Sequence, residues 1–182
     1  NLLLPDVQAK YLAWAQQGKI HWLHIGVTCT SWSPLRRITC GTRTRKYPMG
    51  VNPDDSELQG NAEVRFACRI ADAIMSHGGY VTWENPAGSL MWFAPCLQKL
   101  IRKYASSSKP FQSQIFDQCM YGQTVVINGE LFAAKKGTFF MTNAPEVVAS
   151  FMIKCDGSHK LPHGNLENIV CKQAEAYPPR LV

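Results

Sequence analysis

Between Ser56 and His77 the apolar residues Val64, Ala67, Cys68, Ala71, Ile74 and Met75 recur at helical spacing, and Gly78-Gly79 stops the pattern directly before the strand-like run Tyr80–Trp83. A second short apolar run, Ile20–Val27, lies upstream of that helix. Its length and apolar content predict a buried strand. Strand, helix and strand in this order predict neighbouring strands in one sheet. Ligands of open α/β sheets bind outside the carboxyl ends of the strands. The residues just past each run therefore matter most. Ile20–Val27 leads into Cys29, and Tyr80–Trp83 leads into Glu84-Asn85-Pro86. One crevice would then hold a thiol and a carboxyl.

The remaining patterns continue the alternation. Pro5 at a first-turn position, followed by Val7, Tyr11, Leu12, Trp14 and Ala15, predicts an amphipathic helix stopped by Gly18. Residues 33–53 read as loop, because Pro34, Gly41, Pro48, Gly50 and Pro53 break any period. A second long helix is expected from Ser89 to Tyr104, with strands at Phe111–Phe116 and Thr138–Thr142. Between those strands, Tyr121–Glu130 reads as a hairpin turning on Asn128-Gly129. A short helix near 145–153 precedes a loop rich in Gly, Pro and His. The expected class is α/β, a mostly parallel sheet flanked by helices.

With 182 residues, 46% of them hydrophobic, the chain can bury one real core. The formal charge of +6 favours a polyanionic partner, DNA or RNA, although such a balance also serves simple solubility. Seven cysteines at irregular spacing make a poor disulfide framework, so an intracellular, reducing compartment such as nucleus or cytoplasm is expected. No apolar run approaches the roughly 20 residues that span a bilayer. The opening Asn1-Leu2-Leu3-Leu4-Pro5 has no basic n-region and no initiator Met, so a processed, excised or partial chain is expected.

The string Gly26-Val27-Thr28-Cys29-Thr30-Ser31-Trp32-Ser33 resembles the nucleophile loop of DNA cytosine-5 methyltransferases, and Glu84-Asn85-Pro86 resembles their Glu-Asn-Val/Pro motif. The whole chain is similar to the methyltransferase-like domains carried by some retroelements and by viral and protist genomes. Further matches to that group's motif order are Gly60-Asn61, Ser89 and Trp92, Asp117 with Cys119 and Tyr121-Gly122, Lys136 with Thr138, Cys155 with His159, and Tyr177-Pro178. Two positions depart from it: Thr28 stands where Pro precedes the nucleophile, and Gly137 where Pro follows the lysine. The resemblance implies a partial Rossmann-like methyltransferase fold, with residues 1–150 as its catalytic-side half and 151–182 as a Cys/His-containing extension. It also implies S-adenosylmethionine as cofactor, with Asn61 and Pro86 as candidate contacts.

The chemistry suits these residues. Cytosine C5 is a poor nucleophile until a thiolate adds to C6, which is the covalent catalysis Cys29 could supply. Glu84 could then donate a proton to N3, and Asn85 could orient the loop. The base must leave the duplex stack or already be single-stranded. Arg36, Arg37, Arg43, Arg45 and Lys46 form a basic loop with no acidic residue among them. They are candidate phosphate contacts, together with Trp32 beside the Cys and Lys136. A solvated loop and a Trp that merely anchors it compete with that reading. Cys155, His159 and His163 form a candidate zinc set, with Cys119 or Cys171 as the fourth ligand, and a polar loop whose Cys is buried competes with that reading.

No Gly-x-Gly turn follows a strand anywhere, so the donor-binding part of such an enzyme is not found in the pattern. Three readings stay open. The chain is the catalytic side of a methyltransferase whose cofactor half, including N-terminal strands, lies on a partner chain or was removed. It is a catalytically inactive remnant retained for nucleic-acid binding. Or it is a structural subunit of a larger assembly.

Overall fold

A computed structural model describes residues 2–150, 153–164 and 178. In chain order the elements are α1 (Pro5–Gln16), β1 (Trp22–Gly26), α2 (Asp55–Ser76), β2 (Tyr80–Pro86), α3 (Pro95–Tyr104), β3 (Gln112–Asp117), β4 (Thr124–Ile127), β5 (Glu130–Ala133), β6 (Gly137–Thr142) and α4 (Pro145–Ser150). Among the described residues no helix is long and apolar enough to cross a membrane.

Local chemistry explains most of these boundaries. Asp54 caps α2 by accepting a hydrogen bond from the Glu57 amide at 2.9 Å, and Asp55 and Glu57 add negative charge to the first turn. Gly78, at φ +76°, takes the left-handed turn that ends the helix. The helix expected over Ser89–Tyr104 is two pieces instead. A 3-10 turn at Leu90–Phe93 gives way to α3 at Pro95, because a residue before Pro is pushed to extended backbone and Ala94 sits at ψ 128°. Asn128 and Gly129, at φ 51° and 84°, form the tight turn between β4 and β5.

The sheet corrects the expected fold class. It is not mostly parallel: its order is β1-β2-β6-β3, with one parallel pair, β1 with β2, and two antiparallel pairs, β2 with β6 and β6 with β3. A mostly parallel, partial Rossmann-like sheet is therefore overturned. The reason lies between β3 and β6. That connection is a 3-10 turn and the β4–β5 hairpin rather than a helical crossover. Antiparallel return needs no helix. β6 thus comes back and inserts between β2 and β3.

Successive residues of a strand face opposite sides. Met141 of β6 joins the main core with Trp32, Val64, Ile74, Val81, Trp83 and Leu97, while its neighbour Phe140 packs with Phe116, Tyr121 and Val147 of α4. Helices α1, α2 and α3 therefore cover one face and α4 the other. Asn143, buried after β6, clips the start of β2: its side chain accepts from the Val81 amide at 2.7 Å and donates to the Gly79 carbonyl at 3.0 Å.

Candidate functional site

The parallel pairing of β1 and β2 places Gly26 opposite Glu84 at their carboxyl ends. Beyond those ends lies a crevice of about 250 Å³, lined by Val27, Thr28, Cys29, Glu84, Asn85 and Lys136, with Gly26, Thr30 and Pro86 completing the wall. Three separate segments meet there: the loop after β1, the end of β2, and the turn into β6. Ligand pockets for drug-sized molecules run from ~300 Å³ upward, so this one suits a single flat ring.

Each wall has an identifiable support. Asn85 is buried, and its Nδ2 donates to the Val27 carbonyl at 2.7 Å, which ties the end of β2 to the Cys29 loop. Its Oδ1 is buried with no hydrogen-bond partner among the described residues, leaving an acceptor beside the cavity. Trp92 Nε1 and the Ser89 amide both donate to the Pro86 carbonyl, at 3.0 and 2.9 Å. The Ala87 amide donates to the Gly137 carbonyl at 2.9 Å. Ser89 and Trp92 thus fasten the turn that follows Glu84. On the other wall, the Cys29 carbonyl accepts from the Trp32 amide at 3.0 Å and opens a 3-10 turn over Thr30–Trp32.

Arg43 holds that loop from beneath. It is buried, and its guanidinium donates to the Ser31 and Pro48 carbonyls at 2.9 and 2.6 Å, to Asn61 Oδ1 at 2.7 Å and to the Glu57 carbonyl at 2.7 Å. The plane also stacks 3.5 Å from the Trp32 ring centroid. Glu57, fully buried, accepts from the Thr42 amide and hydroxyl at 2.8 and 2.6 Å. This close packing requires Gly60. A Cβ there would sit 2.4 Å from Ser31 Oγ and 3.0 Å from Trp32 Nε1. Gly60→Ala is expected to destabilise the fold by about 1–3 kcal/mol through overpacking. A denaturant titration with an unchanged m-value would show it; a shift below ~0.5 kcal/mol would mean the loop sits elsewhere.

The basic loop therefore divides. Arg43 and Trp32 lie inside, and Arg36 is held by Asp54 and Ser56. Arg37, Arg45 and Lys46 are exposed. Of the two residues considered for S-adenosylmethionine, Pro86 lines the crevice, but Asn61 is buried between Arg43 and the Met49 carbonyl. Asn61 is not among the residues lining the crevice.

A second cluster lies just past the carboxyl end of β3. Ligand atoms of Cys119, Cys155, His159 and His163 all lie within 4.8 Å of one another, a set compatible with zinc. Cys171 and Tyr177 lie outside the described residues. On the outer side of β1, a cavity of about 610 Å³ is bordered by Leu2, Tyr11, Leu23, Ile25, Phe66 and Ile70. No protein-family model, no curated protein and no solved structure matches this chain. The site itself is the guide to its chemistry.

Sequence reasoning missed the structural roles of Arg43 and Asn143. Apart from Pro48, five residues from Arg43, their partners are 12 to 64 residues away in sequence, and no local pattern marks them.

Proposed function

We propose that the crevice is a covalent-activation site for a pyrimidine base, cytosine by the resemblance, in a methyltransferase-like domain acting on DNA or RNA. The observation that carries this is the meeting of Cys29, Glu84, Asn85 and Lys136 around one ring-sized cavity. Cys29 Sγ, as thiolate, adds to C6. The C5=C6 pair shifts toward C4, and the N3=C4 pair moves onto N3, where the Glu84 carboxyl delivers its proton. The resulting enamine is nucleophilic at C5, the carbon the resemblance implies as methyl acceptor. Asn85 holds the loop through Val27, and its buried Oδ1 suits an exocyclic amine. The base reaches this cavity only when out of the stack.

The chain's own share is thus base activation. We place the donor, S-adenosylmethionine, on a partner chain seated along β1. β1 is the outermost strand of its sheet and borders the larger cavity, which supports this placement.

Arg37, Arg45 and Lys46 supply the phosphate contacts in this reading. Replacing all three with alanine is expected to flatten the slope of log K against log salt by roughly 2–3, near 0.7–0.9 per lost contact. Fluorescence anisotropy across a salt series reads this. An unchanged slope would remove these residues from the interface.

The activity is tested by exchange of the cytosine C5 hydrogen in deuterated water, which needs no methyl donor. Addition at C6, deuteration at C5, loss of the original hydrogen and expulsion of the thiolate return the base with one deuterium. Exchange by the wild type and not by Cys29→Ala supports the proposal. Salt-dependent binding without exchange would favour the alternative, an inactive remnant that binds nucleic acid.

A further inference from the structure

Ile153 to Gly164 is laced onto the body of the fold at both ends. The Cys155 amide donates to Asp117 Oδ2 at 2.9 Å, and the Asp117 amide donates to the Ile153 carbonyl at 3.2 Å. Farther on, the Ala133 amide donates to the Pro162 carbonyl at 2.8 Å, and the Gly164 amide to the Ala133 carbonyl at 3.1 Å. Between these anchors the segment folds back on itself. Gly157 turns at φ 80°, and the Ser158 amide donates to Asp156 Oδ1 at 2.9 Å. The fold-back brings three soft or borderline donors to one point. Cys155 Sγ is 3.3 Å from both His159 Nε2 and His163 Nε2, and the two Nε2 atoms are 3.0 Å apart. Buried Cys119, from the 3-10 turn after β3, supplies the fourth.

We propose that these four residues form a closed structural zinc centre, and that it clamps the 153–164 segment against the stretch of chain that delivers Lys136 to the crevice. Zinc bonds of ~2.0–2.3 Å in a tetrahedron give ligand–ligand edges of about 3.3–3.8 Å, close to the 3.0–3.3 Å spacings among Cys155, His159 and His163, with the Cys119 sulfur within 4.8 Å of all three. The donor set of two sulfurs and two nitrogens excludes calcium and magnesium, which take oxygen. His159 Nδ1 lies 2.8 Å from the Leu161 carbonyl. That bond puts the ring proton on Nδ1 and leaves the Nε2 lone pair for a metal, the usual outer support of a zinc histidine. With four protein ligands no coordination position stays open for water or substrate, so the role is structural rather than catalytic.

The connection to the crevice is short. Next to Cys119, the Gln118 amide donates to the Lys136 carbonyl at 3.1 Å, and Gln118 Nε2 donates to Thr138 Oγ1 at 2.9 Å. On the other side, His163 pairs with Ala133 as an isolated β-bridge. The zinc centre thus grips the chain before β4 and at the end of β5, and Lys136 sits between those grips and β6.

The test uses the full chain with zinc and cobalt. One zinc ion per chain should survive dialysis, measured by elemental mass spectrometry. Cobalt in its place should give the strong visible bands of a tetrahedral ion and sulfur-to-cobalt charge transfer. Cys155→Ala and His163→Ala should each weaken binding by at least about tenfold, while alanine at exposed Cys40 should not. Zinc loading should also slow hydrogen exchange at the Gln118, Ala133, Cys155 and Gly164 amides. No retained metal, cobalt spectra without thiolate bands, or undiminished binding by both cluster variants would overturn the site. Metal binding that leaves those four amides unchanged would overturn the clamp. The wild-type cobalt spectrum decides the site even if a variant fails to fold.

Discussion

Arg43→Ala is expected to cost about 3–5 kcal/mol of folding stability, lowering Tm by roughly 10 °C for a chain of this size. The guanidinium bonds the Ser31, Pro48 and Glu57 carbonyls and Asn61 Oδ1, and none of these acceptors gains a donor when it leaves. Glu57 would remain a buried carboxylate whose side chain keeps only the Arg43 amide and the two Thr42 contacts. Burial lowers the Arg43 pKa to about 10, an effect Glu57 partly offsets, so the group is still charged at neutral pH. Removing one member of a buried charged network costs more than the network contributes as a whole, because the other charge is left uncompensated. Lysine is not a substitute. It brings three donors from one point, where the guanidinium reaches four acceptors in a plane and stacks on Trp32. Arg43→Lys should therefore recover less than half of the loss. Thermal and urea unfolding measure both variants. A loss under ~1 kcal/mol together with a flatter salt dependence of nucleic-acid binding would place Arg43 on the surface instead.

The second large effect concerns the crevice. Cys29→Ala should bring C5 hydrogen exchange down to the rate without protein, since no other residue lining the cavity is a thiol. Glu84→Gln should slow it by about 10²–10⁴-fold, the usual contribution of one placed acid or base. Glutamine keeps the shape and loses the transferable proton, so binding of the oligonucleotide should hardly change. Cys29→Ala and Glu84→Gln should also combine without adding, because Glu84 has nothing to protonate once the thiol is gone. Full activity in Glu84→Gln would mean that N3 takes its proton from water. Loss of binding rather than turnover would mean the carboxyl is a structural group.

How much of this was legible in the chain depended on distance along it. The cap at Asp54, the stop at Gly78 and the Asn128-Gly129 turn are local chemistry, and each sits where its residue type requires. The meeting of Cys29 with Glu84 was legible because a helix between two strands makes them parallel neighbours, and that pair is the parallel one in the sheet. The position of β6 was not legible. Nothing local tells a strand to insert antiparallel between two earlier ones. The break at Pro95 was readable from the proline itself, but the apolar run across it disguised the boundary. Basic residues in a proline- and glycine-rich loop read as solvent-facing, and only the acceptors gathered from α2, Ser31 and Pro48 show that Arg43 turns inward. For the metal cluster, spacing gave Cys155, His159 and His163. The fold brings Cys119 to them as the fourth.

The bond between Cys29 and a pyrimidine C6 is the central claim, and mass spectrometry sees it directly. The full chain would be incubated with a single-stranded oligonucleotide carrying 5-azacytosine, whose C6 is more electrophilic than that of cytosine, then digested and mapped. The expected result is one nucleotide adduct on the peptide containing Cys29, absent from Cys29→Ala and strongly reduced in Glu84→Gln. No adduct, or an adduct on exposed Cys40 as readily as on Cys29, would contradict it.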